Sequence, residues 1–385
     1  MKILRIKGKY LKNYNNETLD INFIASDKVV QNNNLYNIYK SIYTQNLITF
    51  VGVNATGKTK TLKIIEFILK ILIDKYGLND FFTVPYGVDD KTEFWIYFID
   101  NKKVYEWNFI IHSVIENGKQ KLSFYDEIIK SKYITSVTSR KDIFDFSSNK
   151  IKDIEKRSEL PASIKEMMKE DSSITIKIDK FNETRVFSLI SVTNINIMLP
   201  TGNVPENIIN LFDHSIENLN CNSNGCLIKF KNESYTHNLK NFSEISNYLS
   251  SGTIKGNYVF LNAIKALITG GYFIIDEIEN HFHKELVKLL IDLFKSSKTN
   301  PYGATIIFST HYAEILDVVD RKDNIYLLKK KDNKIECLNY SNFIERNDLK
   351  KSEVLLSGII DGTAPKYEDI KNFKEFICRN LSGKE

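Results

Sequence analysis

The stretch Gly52-Val53-Asn54-Ala55-Thr56-Gly57-Lys58-Thr59 matches the spacing G-x-x-x-x-G-K-[ST]. It follows the apolar run Leu47–Val51 and precedes a segment, residues 61–76, that is apolar almost all round and is predicted to be a helix. Glycines let the backbone turn its N–H groups inward, and a helix N-terminus adds about half a positive charge. The stretch therefore predicts a phosphate-binding loop between a buried strand and a buried helix.

Each position of this loop has an expected role. Lys58 is expected to reach the β- and γ-phosphates of a nucleotide, and the Thr59 hydroxyl to bind Mg²⁺. The other positions expected to contact the nucleotide are Gly52, Asn54, Ala55, Thr56, Gly57 and Thr61. A chance match in a chain of this length is expected in about one case in a hundred. The predicted cofactors are accordingly ATP and Mg²⁺.

A second apolar run ends in two acids, Tyr272-Phe273-Ile274-Ile275-Asp276-Glu277. A buried parallel strand presents such carboxylates at its C-terminal end, where α/β sheets bind ligands. Asp276 is expected to hold Mg²⁺ through water, and Glu277 to orient and deprotonate the attacking water. Many strands end in acids, so the pattern alone is a weak indication of a catalytic site. It becomes a strong one because a phosphate loop lies upstream.

A third buried run, residues 304–310, precedes His311. A lone histidine is more often structural than catalytic. Its place one strand–helix–strand unit after Asp276 and Glu277 favours a sensor of the γ-phosphate.

Composition describes an ordinary globular chain. Of 385 residues, 42% are hydrophobic and 26% charged, and the net charge of +5 permits contact with nucleic acid without predicting it. Four cysteines are too few for a disulfide framework, so reduced thiols are expected. The N-terminus carries charges where a secretory signal would be apolar, and the longest apolar stretch is too short to span a bilayer. A soluble, cytoplasmic protein is expected.

The pattern along the chain predicts an α/β fold interrupted by an insertion. Strands are expected at residues 3–6 and 19–23, an antiparallel meander from Thr92 onward, and helices near residues 151–169 and 206–219. A strand–helix–strand pattern returns after Tyr248. We therefore expect a nucleotide-binding head formed by residues 1–80 and 245–385, and an inserted lobe of antiparallel strands and helices formed by residues 81–244.

The segment Tyr248-Leu249-Ser250-Ser251-Gly252-Thr253 precedes a helix and by itself is an N-cap with a tight turn. Beside the other motifs it resembles the L-S-G-G-Q signature of ABC ATPases, with Ser251 and Thr253 replacing a glycine and the glutamine. The resemblance implies an ABC/SMC-type head with a mixed and parallel sheet. It also implies that Ser250 and Gly252 contact the nucleotide held by a second subunit, and therefore a homodimer or higher oligomer.

Two further runs, residues 276–283 (D-E-I-E-N-H-F-H) and 309–317 (S-T-H-Y-A-E-I-L-D), resemble ABC-class ATPases of the OLD (overcoming lysogenization defect) type. Such proteins include ATPase subunits of bacterial phage-defence and abortive-infection systems. Lys284 stands where a proline is usual. The glutamine that normally links the nucleotide site to the inserted lobe is not identifiable among Gln31, Gln45 and Gln120.

This resemblance implies an ATP-gated dimeric switch that controls a separate effector, either a nuclease or a toxin. The stretch after His311 is too short for a second catalytic domain, so no nuclease is expected in this chain. One alternative is a DNA-repair or chromosome-maintenance head, similar to SMC or RecF-like proteins, that binds DNA directly. Another is a scaffold that binds nucleotide without hydrolysing it, which the acids and the histidine disfavour.

Two other groups of residues carry weaker hypotheses. A zinc site built from His214, Cys221, Cys226 and His237 fits no familiar ligand spacing. The run Lys329-Lys330-Lys331 is predicted to be a solvated hairpin tip, with DNA contact as the alternative.

Overall fold

The computed structural model describes residues 1–385 except 28, 30–33, 179–182, 194, 196–200, 223, 241, 281, 345–349, 358–366 and 383–385. The strands are β1 (Lys2–Lys9), β2 (Thr18–Asn22), β3 (Leu35–Tyr39), β4 (Ile42–Gln45), β5 (Leu47–Val51), β6 (Glu93–Asp100), β7 (Lys103–Glu116), β8 (Lys119–Tyr133), β9 (Asp153–Lys156), β10 (Val186–Ser188), β11 (Gly202–Asn203), β12 (Ile216–Asn222), β13 (Gly225–Phe230), β14 (Thr236–Leu239), β15 (Tyr272–Ile275), β16 (Thr305–Thr310), β17 (Ile325–Lys331) and β18 (Lys334–Asn339). The α-helices are α1 (Lys58–Leu72), α2 (Ala162–Met167), α3 (Glu206–Ile209), α4 (Ser251–Thr269), α5 (Lys284–Lys295), α6 (Lys351–Leu356) and α7 (Tyr367–Ser382).

The central sheet has six strands in the order β10-β15-β16-β5-β17-β18, all parallel except β18. Every residue of β5, β15 and β16 is buried, because helices cover both faces of the sheet. The three apolar runs of the sequence thus form buried parallel strands, as predicted, and the structure shows that they are adjacent. Their C-terminal ends meet at one edge of the sheet, with Ile275 beside Phe308 and Thr310 beside Val51.

A second six-stranded sheet, antiparallel throughout, has the order β2-β1-β6-β7-β8-β9. The predicted meander from Thr92 is confirmed as β6, β7 and β8, and the early strands are confirmed as β1 and β2. The meander does not stand alone, since β1 pairs with β6. Similarly, β10 joins the central sheet through β15. Both pairings cross the expected boundaries between head and lobe, and the division at residues 80 and 245 stays a prediction.

Helix α1 lies between the two six-stranded sheets. Ile48 of the central sheet, Phe67 of α1 and Phe109 of the meander belong to one continuous buried cluster. A separate cluster on the other face of the central sheet contains Phe260 of α4 and Leu290 of α5. The helix begins at Lys58, three residues before the predicted start, and ends at Leu72, before the expected stop at Gly77. The α/β fold with mixed sheets is therefore confirmed.

Two predicted helices are largely wrong. Within residues 151–169, β9 pairs with β8, and only the short α2 is α-helical, because Pro161 lies directly before it. Within residues 206–219, α3 ends at Ile209, and β12 begins at Ile216. The Asp213 carboxylate accepts a hydrogen bond of 2.9 Å from the Ser215 backbone N–H, which forms the turn between them.

The expectation of reduced thiols is also wrong for two of the four cysteines. Cys221 of β12 and Cys226 of β13 lie directly opposite each other, with Cα atoms 4.1 Å apart, and form a disulfide. Cys337 is a free thiol. The disulfide occupies both sulfurs of the considered zinc set, and His237 Nε2 lies 2.6 Å from Glu233 Oε2. Among the described residues, no cluster of three or more metal-ligating side chains occurs, and no helix has the length and apolar character needed to cross a membrane.

Candidate nucleotide-binding site

The phosphate loop, residues 52–59, joins the end of β5 to the start of α1. Gly57 has φ of 104°, in the left-handed region that favours glycine. A Cβ added to Gly57 would lie 2.5 Å from Ile335 Cδ1, and one added to Gly52 would lie 2.2 Å from the carbonyl oxygen of Leu328. Both glycines are therefore required for close packing, and Gly57 also for its backbone conformation. Both of these close contacts are made with the β17–β18 hairpin of the same chain.

The Lys58 side chain is buried within the phosphate loop. Its Nζ donates hydrogen bonds to the carbonyl oxygens of Gly52 and Val53, at 2.7 and 3.0 Å. Burial lowers the pKa of the Lys58 ammonium below its ordinary value, while the carboxylates of Glu277 and Asp276 act in the opposite direction. A phosphate group is a stronger acceptor for this ammonium than the two carbonyls.

The remaining loop positions divide into exposed and buried ones. Asn54 and Ala55 are exposed at the tip of the loop. The Thr56 hydroxyl donates to the Val53 carbonyl at 2.8 Å, which stabilises the turn. Thr61 is fully buried, and its hydroxyl bonds to the Gly57 carbonyl at 3.0 Å and to Tyr14 Oη at 2.9 Å. The Thr61 side chain thus anchors the loop, and its contact with nucleotide stays a prediction.

Asp276 lies at the end of β15 and accepts hydrogen bonds from two hydroxyl groups. Thr59 Oγ1 donates to Asp276 Oδ2 at 2.6 Å, and Ser309 Oγ donates to Asp276 Oδ1. A hydroxyl and a carboxylate are hard oxygen ligands of the kind that Mg²⁺ prefers, so the donor set fits the predicted metal. Sequence reasoning assigned no role to Ser309, although it lies within the run that led to His311.

Glu277 is held in an unusual backbone conformation. Its φ is 46°, and its backbone N–H donates to Ser309 Oγ at 2.8 Å. Asn280 Nδ2 donates to Glu277 Oε2 at 2.6 Å, which restricts the carboxylate. Left-handed backbone at a residue other than glycine costs on the order of 1–3 kcal/mol, and such residues concentrate at functional sites. This conformation turns the chain sharply directly after β15.

His311 follows β16 and is held by Glu279. The His311 backbone N–H donates to Glu279 Oε1 at 2.7 Å, and its Nδ1 lies 2.8 Å from the same oxygen. The Glu279 side chain is only 4% exposed, compared with 25% for His311, so the acid is the buried support and the imidazole is the accessible group. The sequence pattern at residues 276–283 contains Glu279 but does not indicate that it supports His311.

The signature residues lie at the N-terminus of α4. Ser250 is the N-cap, and its Oγ accepts a hydrogen bond of 3.0 Å from the Thr253 backbone N–H. A Cβ added to Gly252 would meet only Ser250 Oγ within 4 Å, at 3.8 Å, so this glycine faces open space. Within the described residues, no hydrogen bond joins Ser250 to the phosphate loop of its own chain. The structure brings together the loop, the acids and the histidine.

The two glutamines in the described part of the chain make no hydrogen bond to the phosphate loop. Gln45 Nε2 donates to the carbonyls of Ile24 and Asp323, and Gln120 Nε2 donates to Val88 O and Ser113 Oγ. Gln31 lies outside the described residues.

The parallel sheet, the phosphate loop and the acids beside it define a P-loop ATPase-type domain. A protein-family model described as "AAA domain, putative AbiEii toxin, Type IV TA system" matches residues 100–317, which is more than half of the 385 residues. The chain belongs to this family. The matched range includes Asp276, Glu277 and His311, and the phosphate loop lies before it. No curated protein matches the chain. The narrower likeness to OLD-type ATPases stays a prediction.

Proposed function

We propose that two copies of the chain enclose two molecules of ATP, each with Mg²⁺, and hydrolyse them as part of a switch that controls a separate effector. The observation that carries this proposal is the cluster in which Asp276 accepts hydrogen bonds from Thr59 and Ser309. It joins the phosphate loop to β15 and β16, the adjacent strands that precede Glu277 and His311 in the chain. ATP-binding residues and a candidate general base thus lie at one edge of the sheet.

The chemistry assigns each side chain a separate task. Lys58 binds the β- and γ-phosphates, and Thr59 and Asp276 hold the metal, which when bound neutralises charge on the phosphate oxygens. Glu277 accepts a proton from water as the water oxygen attacks the γ-phosphorus and the bond to ADP breaks. Asn280 keeps the Glu277 carboxylate in place through its 2.6 Å hydrogen bond. His311, supported by Glu279, contacts the γ-phosphate.

The dimer in this proposal rests on the resemblance of residues 248–253 to the ABC signature, and on the absence, among the described residues, of a hydrogen bond between Ser250 and the phosphate loop of its own chain. Ser250 and Gly252 open a helix of 19 residues, whose N-terminus favours a negatively charged ligand. In our proposal this helix end meets the γ-phosphate held by the partner subunit. The open space beside Gly252 supports that contact, because a phosphate needs close approach to the backbone.

The cellular role proposed is anti-phage defence. Two observations support it: the family description names a putative toxin of a type IV toxin–antitoxin system, and residues 276–283 and 309–317 resemble OLD-type ATPases. The effector would be a nuclease or toxin on another polypeptide. Phage plating on bacteria that carry the gene with its neighbouring reading frames tests this role. Protection that is lost with Lys58→Ala supports the proposal, and equal plating with and without the intact gene contradicts it.

The biochemical proposal is tested with Glu277→Gln. This variant should bind ATP, hydrolyse it at least about a hundredfold more slowly, and accumulate as a closed dimer in size-exclusion chromatography with light scattering. Glu285→Gln, an exposed glutamate of α5, is the matched control and should behave as wild type. Hydrolysis by Glu277→Gln at the normal rate would contradict the assignment of the general base.

A further inference from the structure

The β17–β18 hairpin lies directly against the phosphate loop. The Leu328 carbonyl approaches Gly52, and the Ile335 side chain approaches Gly57, at distances that leave no room for a Cβ on either glycine. The Ile335 backbone N–H also donates to the Asn13 carbonyl at 2.8 Å. The hairpin is therefore fixed beside the loop on two sides.

The register of the hairpin decides which lysine faces the loop. Lys330 is paired with Ile335, so the two side chains lie on the same face. Ile335 is the residue that contacts Gly57, and Lys330 follows Leu328 by two positions on that face. Lys329 and Lys331 belong to the opposite face. Lys330 thus extends the face that meets the loop, just beyond the end of the buried residues.

The lysines also differ in their partners. Lys329 Nζ lies 3.3 Å from Glu336 Oε2 and is neutralised there. Lys330 is exposed, and no carboxylate of the described residues lies within 4.0 Å of its Nζ. Its strand β17 lies on one side of β5, and β15, which presents Asp276, lies on the other. The Lys330 charge is therefore available on the side of the loop opposite the metal-binding acid.

We propose that the Lys330 ammonium binds phosphate oxygens of the nucleotide held in the loop, from the hairpin side. The inference rests on the proposed ATP binding and adds a second lysine to Lys58. An ammonium on a flexible stem suits this role, because it reaches an anion without requiring a fixed approach angle. The contact is solvent-exposed, so its contribution is expected to be modest and sensitive to salt.

The test compares two single charge removals on the same hairpin. Equilibrium titration with the fluorescent analogue mant-ATP and Mg²⁺ should give a Kd about threefold higher for Lys330→Gln than for wild type. Lys331→Gln, which removes a neighbouring charge from the opposite face, should leave the Kd unchanged. Lys330→Arg should restore the wild-type Kd, because it keeps the charge. The difference should shrink as ionic strength rises.

The outcomes separate this inference from the proposed function. Lys58→Ala is measured alongside, and its failure to weaken binding would contradict the proposed ATP site itself. If Lys58→Ala abolishes binding but the Kd values of Lys330→Gln and Lys331→Gln are equal, the role of Lys330 is overturned and the ATP site stands. If both variants instead lose affinity for duplex DNA and neither changes the Kd for mant-ATP, the hairpin is a nucleic-acid contact and the inference is likewise wrong.

Discussion

Thr59 Oγ1 donates a hydrogen bond of 2.6 Å to Asp276 Oδ2, although 217 positions separate the two residues in sequence. The bond links the first turn of α1 to the end of β15, two strands away from the phosphate loop in the central sheet. Because both oxygens are suited to Mg²⁺, the pair marks where the metal would bind.

Asp276→Asn should therefore remove the effect of Mg²⁺ on nucleotide binding. An amide is a poorer ligand for Mg²⁺ than a carboxylate, so the Kd for mant-ATP in Mg²⁺ should rise to the value that wild type shows with EDTA. Asp332→Asn, at the exposed tip of the β17–β18 hairpin, is the control and should retain the full response to Mg²⁺. A variant at Asp276 that responds to Mg²⁺ as wild type does would place the metal elsewhere.

The lowered pKa of Lys58 predicts a pH dependence of ATP binding. Burial disfavours the charged form, so the free loop loses its ammonium at lower pH than the ordinary lysine value of about 10.4. Phosphate binding favours the charged form, so the Kd should be constant at neutral pH and rise above the lowered pKa. The limit is about tenfold per pH unit, because one proton is coupled to binding.

Titrations with mant-ATP between about pH 7 and about pH 10 measure this dependence. Lys58→Ala has no ammonium to lose at this position, and its residual binding should vary little over the same range. A wild-type Kd that stays flat up to the ordinary lysine pKa would show that the ammonium is not perturbed in the way the structure indicates.

Replacement of Ala55 by glycine should stabilise the folded protein. Its φ of 64° lies in the left-handed region, where a Cβ is unfavourable. Ala55→Gly should raise the free energy of unfolding by about 1 kcal/mol in chemical denaturation, with ATP binding retained. Ala266→Gly, in the interior of α4, should lower it by at least about 1 kcal/mol, because regular helix favours alanine. Equal losses in both variants would contradict the positive φ.

The sequence predicted the parts of the site that depend on local pattern. The loop at residues 52–59 and the runs before Asp276 and His311 are recognisable because buried parallel strands are continuous in apolar residues. Their convergence at one sheet edge follows from parallel topology. Ser309 and Glu279 were missed as functional residues, because their roles depend on which strand lies beside which, and the chain pattern alone does not fix that order.

Other errors have a similar physical origin. Residues 206–219 contain apolar residues at spacings compatible with a helix, yet β12 begins at Ile216 because it pairs with β13. Pairing between strands is a tertiary interaction that overrides local helical preference. The same applies to β1, whose pairing with β6 joins segments about ninety residues apart in sequence. The Cys221–Cys226 disulfide could be recognised only once the register of β12 and β13 was known.

The central claim is that each ATP site takes its phosphate loop from one chain and its signature from another, and mixing two inactive variants tests it most directly. Lys58→Ala disables the loop, and Gly252→Leu blocks the signature in a position where the single chain has open space. Each variant alone should lack ATPase activity. In an equal mixture, heterodimers regain one intact site, so about a quarter of wild-type activity should return.

The matched control is a mixture of Lys58→Ala with the Lys58→Ala/Gly252→Leu double variant. The heterodimers in that mixture contain no intact phosphate loop. We predict restored hydrolysis in the first mixture and none in the second. Absence of restoration at every mixing ratio, or full activity of Gly252→Leu alone, would contradict a site shared between two chains.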